Sequence, residues 1–517
     1  MAGGAVISSS QPGKHYPGGF TWYVFLTCFV GASGGLIFGY DLGISGGVTS
    51  MTPFLKKFFP DVYRKQSGIQ SSNQYCKFDS HALTFFTSSL YIAALVSCLL
   101  ASKITKSFGR RFTMITGGAL LIIGAIVNGF AENLVMLYVG RFLLGFGVGF
   151  ANQSVPVYLS EMAPQNLRGC LNMLFQLAIT IGIFVSSIIN YFTGKRTDDF
   201  GWKLSLGLAA IPGFIIFFGG LFLYDSPNSL IERDQLHEAK TVLKKIRGTK
   251  DIHEEYSDLL AASEASKKVT SPWKRLLFDR KYRPQLTFAI GIPSFQQFTG
   301  INVVMFYAPV LFQTLGFGGS ALLMSSLISG GVNMVATGIA LYLADRKGRR
   351  TLFLLGGLQM LIFQCIVGGL IGYKFGYSGV ATLSKGYAVA VVFCICAYVA
   401  GFAYSWGPLG WLVPSEIFPL EVRSAAQSIN VSANMLWTFC IGQAFLWLLC
   451  HVKFWLFFGF VVFVLAMTIF IFLLFPETKG IPIEGMYEVW ERHWFWRKYV
   501  GGGSGLELDV KKHINNV

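Results

Sequence analysis

Charged residues are scarce in this sequence of 517 residues, because Asp, Glu, Lys and Arg together account for only 13% of it. Soluble globular domains carry about 25% charged residues, so a surface that faces water on every side is excluded. Cysteine is also sparse, at nine residues, and none has the spacing of a metal site. The sequence shows no nucleophile–base pair and no phosphate-binding loop. We therefore expect a protein that is not an enzyme and that uses neither a metal nor another cofactor.

Apolar residues take the place of the missing charge. They form 53% of the chain and include 48 Phe. A run of about 20 apolar residues can cross a bilayer as an α-helix, whereas β-barrel strands would need short alternating segments, which are absent. Twelve long apolar runs occur, at 20–46, 82–102, 112–130, 134–160, 168–191, 203–224, 284–313, 322–344, 351–373, 386–412, 425–450 and 454–475. The sequence therefore predicts an all-α membrane protein with twelve transmembrane helices, surrounded by a lipid bilayer.

The basic residues indicate how the chain is oriented. A formal net charge of +16 would suit a nucleic-acid partner, but the placement of the charge argues against one. Lys and Arg crowd the links 103–111 and 346–350 and the loop after the sixth run, whereas 131–134 and 316–321 contain none. By the positive-inside rule the basic loops and both termini are cytoplasmic. The basic loop at 50–81 is an exception, and the orientation rests on the shorter loops.

The sequence also repeats itself half a chain apart. The string GRR occurs at 109–111, after the second run, and again at 348–350, after the eighth. Repeats of this kind are typical of transporters that rock around a site at the bilayer midplane. We divide the chain into an N-terminal tail (1–19), a first six-helix half (20–224) with an external lid loop (50–81), a cytoplasmic helical insert (225–283), a second six-helix half (284–475) and a C-terminal tail (476–517).

Part of the insert has a helical pattern. Leu236, Ala239, Val242, Leu243 and Ile246 recur at the spacing of one helix face, with lysines opposite. This pattern predicts a short amphipathic helix against the cytoplasmic surface.

Two charges lie inside apolar runs. Asp41 is in the first run and Arg141 is in the fourth. An ionisable residue in hydrocarbon is costly, so both are functional candidates by default. Asp41 alone could lie just past the end of its helix, and Arg141 alone could extend to an interface. A buried ion pair explains both charges, so we predict that they pair and that Asp41 carries a proton.

Six strings point to one family: 34–48 (GGLIFGYDLGISGGV), 140–164 (GRFLLGFGVGFANQSVPVYLSEMAP), 295–309 (FQQFTGINVVMFYAP), 345–350 (DRKGRR), 407–423 (GPLGWLVPSEIFPLEVR) and 476–480 (PETKG). On these strings the chain resembles the sugar porters of the major facilitator superfamily, and most closely plant sugar transport proteins that move hexoses with protons. The resemblance implies two pseudo-symmetric halves and proton-coupled hexose import across the plasma membrane. A facilitative hexose uniporter and a transport-inactive sugar sensor remain as alternatives.

Neutral amides suit a hexose, since each offers donors and an acceptor without a buried charge. Thr299-Gly300 in the seventh run and Gly407-Pro408 in the tenth run predict broken helices, where transporters build binding sites. An interhelical hydrogen bond is the alternative for any one amide. Together with the resemblance, these patterns predict hexose contacts from Gln176, Gln296, Gln297, Asn302, Asn333 and Asn434, stacking by Trp411, and apolar contact from Phe38 and Leu42.

The resemblance also implies a charge network between the halves at the cytoplasmic ends of the spans, with anchoring by the positive-inside rule as the alternative. Its predicted members are Arg110, Arg111, Glu161, Arg168, Asp345, Arg349, Glu416 and Arg423. Cys76 and Cys450 lie on the predicted external side, where an oxidising environment permits a disulfide. Two unrelated thiols would fit the residues as well, but the resemblance implies a bridged lid.

Overall fold

The computed structural model describes residues 16–67, 74–76, 78, 80–164, 167–267, 271–306, 319–376, 384–419, 421–481 and 485–500. Regular structure within these ranges is helical throughout. Eleven helical segments are long and apolar enough to cross a membrane. The remaining predicted span, 284–313, is divided into two shorter helices and runs on past the described residues, so it does not count among the eleven.

The first half contains the helices of spans one to six and of the lid loop. They are α1 (Trp22–Val48), α2 (Thr52–Phe58), α3 (Pro60–Ser67), α4 (His81–Phe108), α5 (Arg110–Gly129), α6 (Leu134–Met162), α7 (Arg168–Thr193), α8 (Phe200–Gly207) and α9 (Ala210–Phe222). The insert contains α10 (Pro227–Glu232), α11 (Leu236–Arg247), α12 (His253–Lys267) and α13 (Pro272–Phe278). The sixth span is thus formed by α8 and α9 together.

The second half repeats this plan and ends in a short helical tail. Its helices are α14 (Arg283–Phe298), α15 (Ile301–Phe306), α16 (Gly319–Lys347), α17 (Arg349–Phe375), α18 (Lys385–Ala403), α19 (Trp406–Ile417), α20 (Arg423–Val452) and α21 (Trp455–Leu474), followed by α22 (Met486–Arg492) and α23 (Arg497–Val500). The face that carries the basic links between α4 and α5 and between α16 and α17 is called the basic end below.

The seventh span breaks where the sequence predicts. The gap between α14 and α15 contains Gly300, whose φ of +83° favours glycine. The freed carbonyl of Thr299 accepts hydrogen bonds from the Tyr398 hydroxyl at 2.7 Å and from the Gln364 amide at 3.2 Å. A backbone break at membrane depth needs such partners, because hydrocarbon supplies none.

The tenth span breaks earlier than predicted. The gap between α18 and α19 falls on Tyr404 and Ser405, not on Gly407-Pro408. Pro408 lies in the first turn of α19, where the missing backbone N–H costs no intrahelical hydrogen bond. The proline therefore helps to begin the second helix and does not interrupt the first.

The two halves touch near both ends of the membrane region, chiefly through α4 and α20. Towards the lid, Gln443 accepts a hydrogen bond from Ser88 at 2.8 Å and donates one to Thr84 at 3.0 Å. Towards the basic end, Gln153 of α6 donates to the Ser424 carbonyl at 3.3 Å. The space between the halves is thus bordered by polar contacts on either side.

The lid packs on the first half and is tied to the second. Phe54 of α2 lies with its ring centroid 5.2 Å from that of Phe86 and 5.9 Å from that of Trp202. The Cys76–Cys450 disulfide is present and connects the lid to the end of α20. The pairing implied by the family resemblance is therefore confirmed.

The insert packs against the basic end of the first half. Ala239, Val242, Leu243 and Ile246 of α11 are buried, which confirms the amphipathic pattern. Leu236 is the exception, because it begins the helix and is 40% exposed. The Arg247 guanidinium at the end of α11 donates to the Met162 carbonyl at the end of α6 at 3.2 Å, which ties the insert to the first half.

Candidate functional site

The first span, α1, approaches α7 very closely. Glycines recur at every fourth position from Gly35 to Gly47, and a Cβ added at Gly39 would lie 1.8 Å from the carbonyl oxygen of Ile179. Such stripes of small residues let transmembrane helices pack backbone against backbone. The close packing fixes the rotation of α1, and Asp41 on its other side faces α4 and α6.

Asp41 and Arg141 form a buried ion pair between α1 and α6. The Arg141 side chain has no exposed surface, and that of Asp41 is 6% exposed. The guanidinium also donates to the Ser45 hydroxyl and, through Nε, to the Phe86 carbonyl at 3.1 Å. The Tyr91 hydroxyl donates to Asp41 Oδ2 at 3.3 Å. The predicted pair is therefore present, and both side chains are buried inside the protein.

The pair joins α1 to α6 through opposite charges. Removing one charge of a buried pair leaves the other uncompensated, which costs about 3–5 kcal/mol. Arg141, however, keeps other partners, since its guanidinium lies 4.3 Å from the centroid of the Phe86 ring. A proton on Asp41 would cancel the attraction while Arg141 remains held by α4. The charge attraction between α1 and α6 would then be lost, and the hydrogen bond from Arg141 to Ser45 would be the remaining contact of the guanidinium with α1.

Gln296 is the centre of the predicted sugar contacts. Its amide nitrogen donates to the carbonyls of Trp406 and Gly407, at 3.0 and 3.3 Å, just after the break in span ten. Its oxygen accepts from Asn434 at 2.8 Å. A Cβ at Gly410 would lie 2.6 Å from the same nitrogen, so a larger residue would displace the amide. Gln296 thus joins α14, α19 and α20 at one point.

The neighbouring amides form a second group at the break in span seven. Asn302 of α15 donates to the Gln297 oxygen across that break. Asn333 of α16 lies against α15, with its amide nitrogen 3.9 Å from the sulfur of Met305. The neighbouring glutamines Gln296 and Gln297 therefore have different partners. Together with Asn302, Asn333 and Asn434 they form the amide cluster.

Gln176 and Trp411 complete the cluster from the two halves. A Cβ at Gly407 would lie 3.1 Å from the Gln176 amide nitrogen, which places this α7 side chain beside the break in span ten. The Trp411 ring lies edge-on to Phe175, with the centroids 5.1 Å apart. The Gln176 amide and the Trp411 indole, both predicted to contact hexose, therefore lie between the two halves.

Two of these amides have an unused acceptor. The side-chain oxygens of Asn333 and Asn434 are buried and have no hydrogen-bond partner within the described ranges. A buried oxygen without a donor is costly. The hydroxyl groups of a sugar are donors of the required kind, so the cluster is chemically suited to a polyhydroxylated ligand.

Phe38 and Leu42 are buried on α1 beside Asp41. The Phe38 ring lies edge-on to Tyr91 at 6.1 Å between centroids, and Tyr91 is the donor to Asp41. Tyr91 therefore connects Phe38 to Asp41. Its predicted contact with sugar stays a prediction, as does that of Leu42.

Several residues of the site were not identified from the sequence. Ser45 lies one turn after Asp41, so helical spacing alone would have placed it beside the carboxylate. Tyr91, Gln364 and Tyr398 had no such signal. Each acts on a residue at least 50 positions away along the chain, and only the packing of the helices brings them together.

Comparison with known proteins identifies the family. A family model described as "Sugar (and other) transporter" matches residues 27–490. The chain belongs to this sugar transporter family. Sugar transport protein MST3 of Oryza sativa subsp. japonica is 61% identical to it over 518 residues, which cover 100% of this chain and 99% of that protein. Sugar transport protein 1 of Arabidopsis thaliana is 59% identical, with 99% and 98% covered.

The solved structures agree on the fold. The major facilitator proton:xylose symporter XylE, bound to 6-bromo-6-deoxy-D-glucose, superimposes on this transporter with a TM-score of 0.76. The two share 27% identity over 91% of this chain and 99% of the other. The predicted fold class, a helical membrane protein of the major facilitator superfamily, is thereby confirmed.

A charge cluster closes the basic end of the transporter's first half. Arg110 lies 2.9 Å from Glu161 of α6 and 2.7 Å from Glu232 of α10. Ser226, which begins α10, donates to the second oxygen of Glu161. The cluster therefore joins α5, α6 and the insert.

The second half contains the matching cluster. Arg349 lies 2.8 Å from Glu416 at the end of α19. Thr478, just after α21, donates to the other oxygen of Glu416 at 3.1 Å. The same arginine, glutamate and hydroxyl recur at matching places, which is the structural form of the sequence repeat.

An acidic residue after the last span of each half caps the helix that carries the GRR arginines. Asp225 accepts the first two backbone N–H groups of α5 at 3.2 and 3.3 Å. Glu477 accepts those of α17 at 2.8 and 3.1 Å. Arg111 donates to the carbonyls of Gly220 and Leu221 at the end of α9. These contacts suit the charges at helix ends, and Arg111 therefore has a capping role.

The ion pairs of these two clusters lie within the halves, and the network predicted between the halves stays a prediction. The ion pairs of Arg110 and Arg349 each close within one half, because the arginine and its glutamate lie on neighbouring helices of the same bundle. Arg423 donates to the Phe418 carbonyl at 3.3 Å, also within the second half. The side chains of Arg168 and Asp345 lie outside the described part of the structure.

The insert residue Glu232 provides a pH-dependent prediction. Burial alone raises the pKa of Glu232, but the Arg110 guanidinium outweighs it and holds the pKa below its ordinary value of 4.5. A carboxylate with a lowered pKa stabilises the fold above its unfolded pKa, and this contribution is lost as the pH falls through the folded value. We expect Glu232→Gln to flatten the decrease in thermal stability between about pH 5 and pH 3, as measured by thermal unfolding in detergent.

The control for this experiment is Glu488→Gln. Glu488 lies on the outer face of the tail helix α22, with 72% of its side chain accessible. This variant should follow the wild-type pH profile. Identical slopes for Glu232→Gln and the wild type would show that the Arg110–Glu232 pair does not contribute to stability.

Proposed function

We propose that this transporter imports glucose and related hexoses together with protons, by alternating access across the plasma membrane, with both termini in the cytoplasm. The observation that carries this proposal is the fully buried Asp41–Arg141 pair in a half that also contributes to an amide cluster with unused acceptors. The relatives are named for sugar transport, and XylE is a proton:xylose symporter. These names support the same substrate class and the same driving ion.

The cycle begins with Asp41 ionised and paired with Arg141, which holds α1 against α6 in a state that binds sugar poorly. A proton from outside neutralises Asp41 and weakens the hold of Arg141 on α1. The first span then closes over a sugar that is bound by the amides between the halves, and the halves rock so that the site faces the cytoplasm. After sugar release, Arg141 favours the carboxylate and expels the proton inward.

The membrane potential supplies the energy for accumulation. Each charge that moves inward through 100 mV contributes about 2.3 kcal/mol. With one proton for each sugar, this supports a hexose gradient of roughly 50-fold. The sugar itself can be neutral, because the proton that is carried with it supplies the charge that moves through the membrane potential.

Uptake by purified protein in liposomes tests the proposal. An inward proton gradient should drive labelled glucose above its external concentration, and a protonophore should abolish that accumulation. Uptake that equilibrates regardless of the gradient would identify a facilitative uniporter. Glucose binding without any exchange would identify a sensor. Either outcome would overturn proton-coupled import.

Gln296→Ala should weaken hexose binding the most among the amide variants. It removes the group that joins Asn434 to the break in span ten, as well as its own contact with sugar. Losing the contact with sugar and disturbing the position of Asn434 should cost about 2–3 kcal/mol of binding free energy together, so the dissociation constant should rise roughly 50-fold. Gln297→Ala should raise it about tenfold. Both are measured by binding of labelled glucose to purified protein.

Gln285→Ala is the matched control for these variants. Gln285 is a buried glutamine on the same helix, three turns nearer the basic end, so its loss tests the general effect of removing a buried amide from α14. Its affinity should equal that of the wild type. Unchanged affinity in folded Gln296→Ala protein would remove Gln296 from the sugar site.

A further inference from the structure

A second layer of buried polar side chains lies one helical turn from the amide cluster, on the side of the basic end. α7 and α20 run away from the basic end and α19 runs towards it, so a step of four residues moves along all three by about 6 Å. The members are Asn172, four residues before Gln176 on α7; Ser415, four residues after Trp411 on α19; and Asn430, four residues before Asn434 on α20. Each helix thus carries a second polar side chain on the same face, about 6 Å nearer the basic end.

The layer bridges the two halves. The Asn172 amide donates to the Ser415 hydroxyl at 2.6 Å, which connects α7 of the first half to α19 of the second. Gln153 makes a further contact across the halves by donating to the Ser424 carbonyl at 3.3 Å. Any solute that passes from the amide cluster to the basic end has to separate these contacts.

The layer also has unused acceptors. Asn172 and Asn430 are 0% and 2% exposed, and neither side-chain oxygen has a hydrogen-bond partner in the described ranges. The Gln153 oxygen is in the same condition. Groups such as these are rarely left buried without a donor. Because these oxygens lie between the amide cluster and the basic end, they are available to accept hydrogen bonds from a solute in transit.

We propose that Asn172, Ser415 and Asn430 form a release subsite, which binds the hydroxyl groups of a hexose after it leaves the central amides. This inference rests on the proposed function. In this structure, which is closed at the basic end, the Asn172 amide nitrogen donates to the Ser415 hydroxyl, and that hydroxyl donates to the Leu412 carbonyl. When the halves separate at the basic end their hydrogen bond breaks, and each group becomes available to the sugar. The subsite provides hydrogen bonds in place of those to the central amides, so the hydroxyl groups of the sugar keep partners while the sugar leaves.

The subsite predicts a change on one side of the membrane only. In liposomes of defined orientation, Asn172→Ala and Asn430→Ala should each raise the KM for hexose efflux, measured from the cytoplasmic side, by about tenfold, the worth of one hydrogen bond. The KM for influx should stay within about twofold, because sugar from outside meets the central amides first. Ser415→Ala, which removes a single hydroxyl, is the milder variant if either alanine variant fails to fold.

Asn128→Ala is the matched control. Asn128 of α5 is 0% exposed, and both of its side-chain polar atoms lack a partner in the described ranges. It packs against Gly140 of α6, away from the space between the halves. Its loss should change neither KM. An effect on efflux as large as in the layer variants would show a general cost of removing buried amides, and would overturn the subsite.

Two other results would overturn the subsite, and they are distinguishable from failure of the proposed function. An equal rise of both KM values in the layer variants would place these residues in the central site. Unchanged KM values in both directions for the layer variants, together with lost hexose binding in Gln296→Ala, would support hexose transport through the central amides and rule out the subsite. A wild-type protein that moves no hexose would instead overturn the proposed function, and the subsite with it.

Discussion

The Asp41→Asn variant is expected to carry hexose only down its concentration gradient. The amide keeps the shape of the carboxylate and can still accept a hydrogen bond from Arg141, but it cannot take up and release a proton. The steady accumulation of glucose in energised liposomes should therefore fall from roughly 50-fold per 100 mV to about one. The measurement is the internal concentration of labelled glucose under an imposed pH gradient and a potassium diffusion potential.

The control is Asp61→Asn. Asp61 is a lid carboxylate with 88% of its side chain exposed, so the variant should accumulate glucose like the wild type. Glucose exchange at equal pH on both sides should persist in Asp41→Asn, since the sugar contacts are intact. Concentrative uptake by Asp41→Asn would show that a different group carries the proton.

Arg141→Met should have the largest effect on stability. The thioether fills part of the space of the guanidinium but leaves the Asp41 carboxylate buried without its counter-charge. Losing one member of such a pair costs about 3–5 kcal/mol. The apparent unfolding temperature in detergent at neutral pH should fall clearly below that of the wild type. Adding Asp41→Asn to this variant should recover much of the loss, because no unpaired charge then remains.

Arg196→Met is the comparison for the pair. Arg196 and Asp198 form an ion pair whose side chains are 52% and 51% exposed, so water screens the interaction and its loss should hardly change the unfolding temperature. Equal stability of Arg141→Met and the wild type would contradict the buried pair. Simple additivity in the double variant would mean that the two charges do not interact.

The sequence predicts the features that depend on composition along one segment. Apolar runs identify the spans, and the GRR repeat identifies the two halves. Asp41 and Arg141 could be paired because hydrocarbon penalises any unpaired charge, a constraint that holds whatever the helix packing. The family resemblance was needed to assign hexose to the amides, since an interhelical hydrogen bond is the better explanation for each of them when it is taken alone.

The features that depend on helix rotation and packing could not be predicted. Tyr404 and Ser405 have no turn signal of their own, and the nearby Gly407-Pro408 misplaced the break, because a proline is tolerated in a first helical turn. The partners of the clustered arginines were also open, since basic residues at span ends are common whether or not they form pairs. Only the structure shows that Arg110 and Arg349 each bind within their own half.

The lid disulfide has a consequence for how the polypeptide is held together. Cys76 and Cys450 are 374 positions apart, so the bridge closes most of the chain, insert included, into one covalent ring. A protease that cuts the insert once opens the ring without separating its pieces. The two halves of such a nicked molecule should migrate as one band on a denaturing gel, and as two bands once a thiol reductant is added.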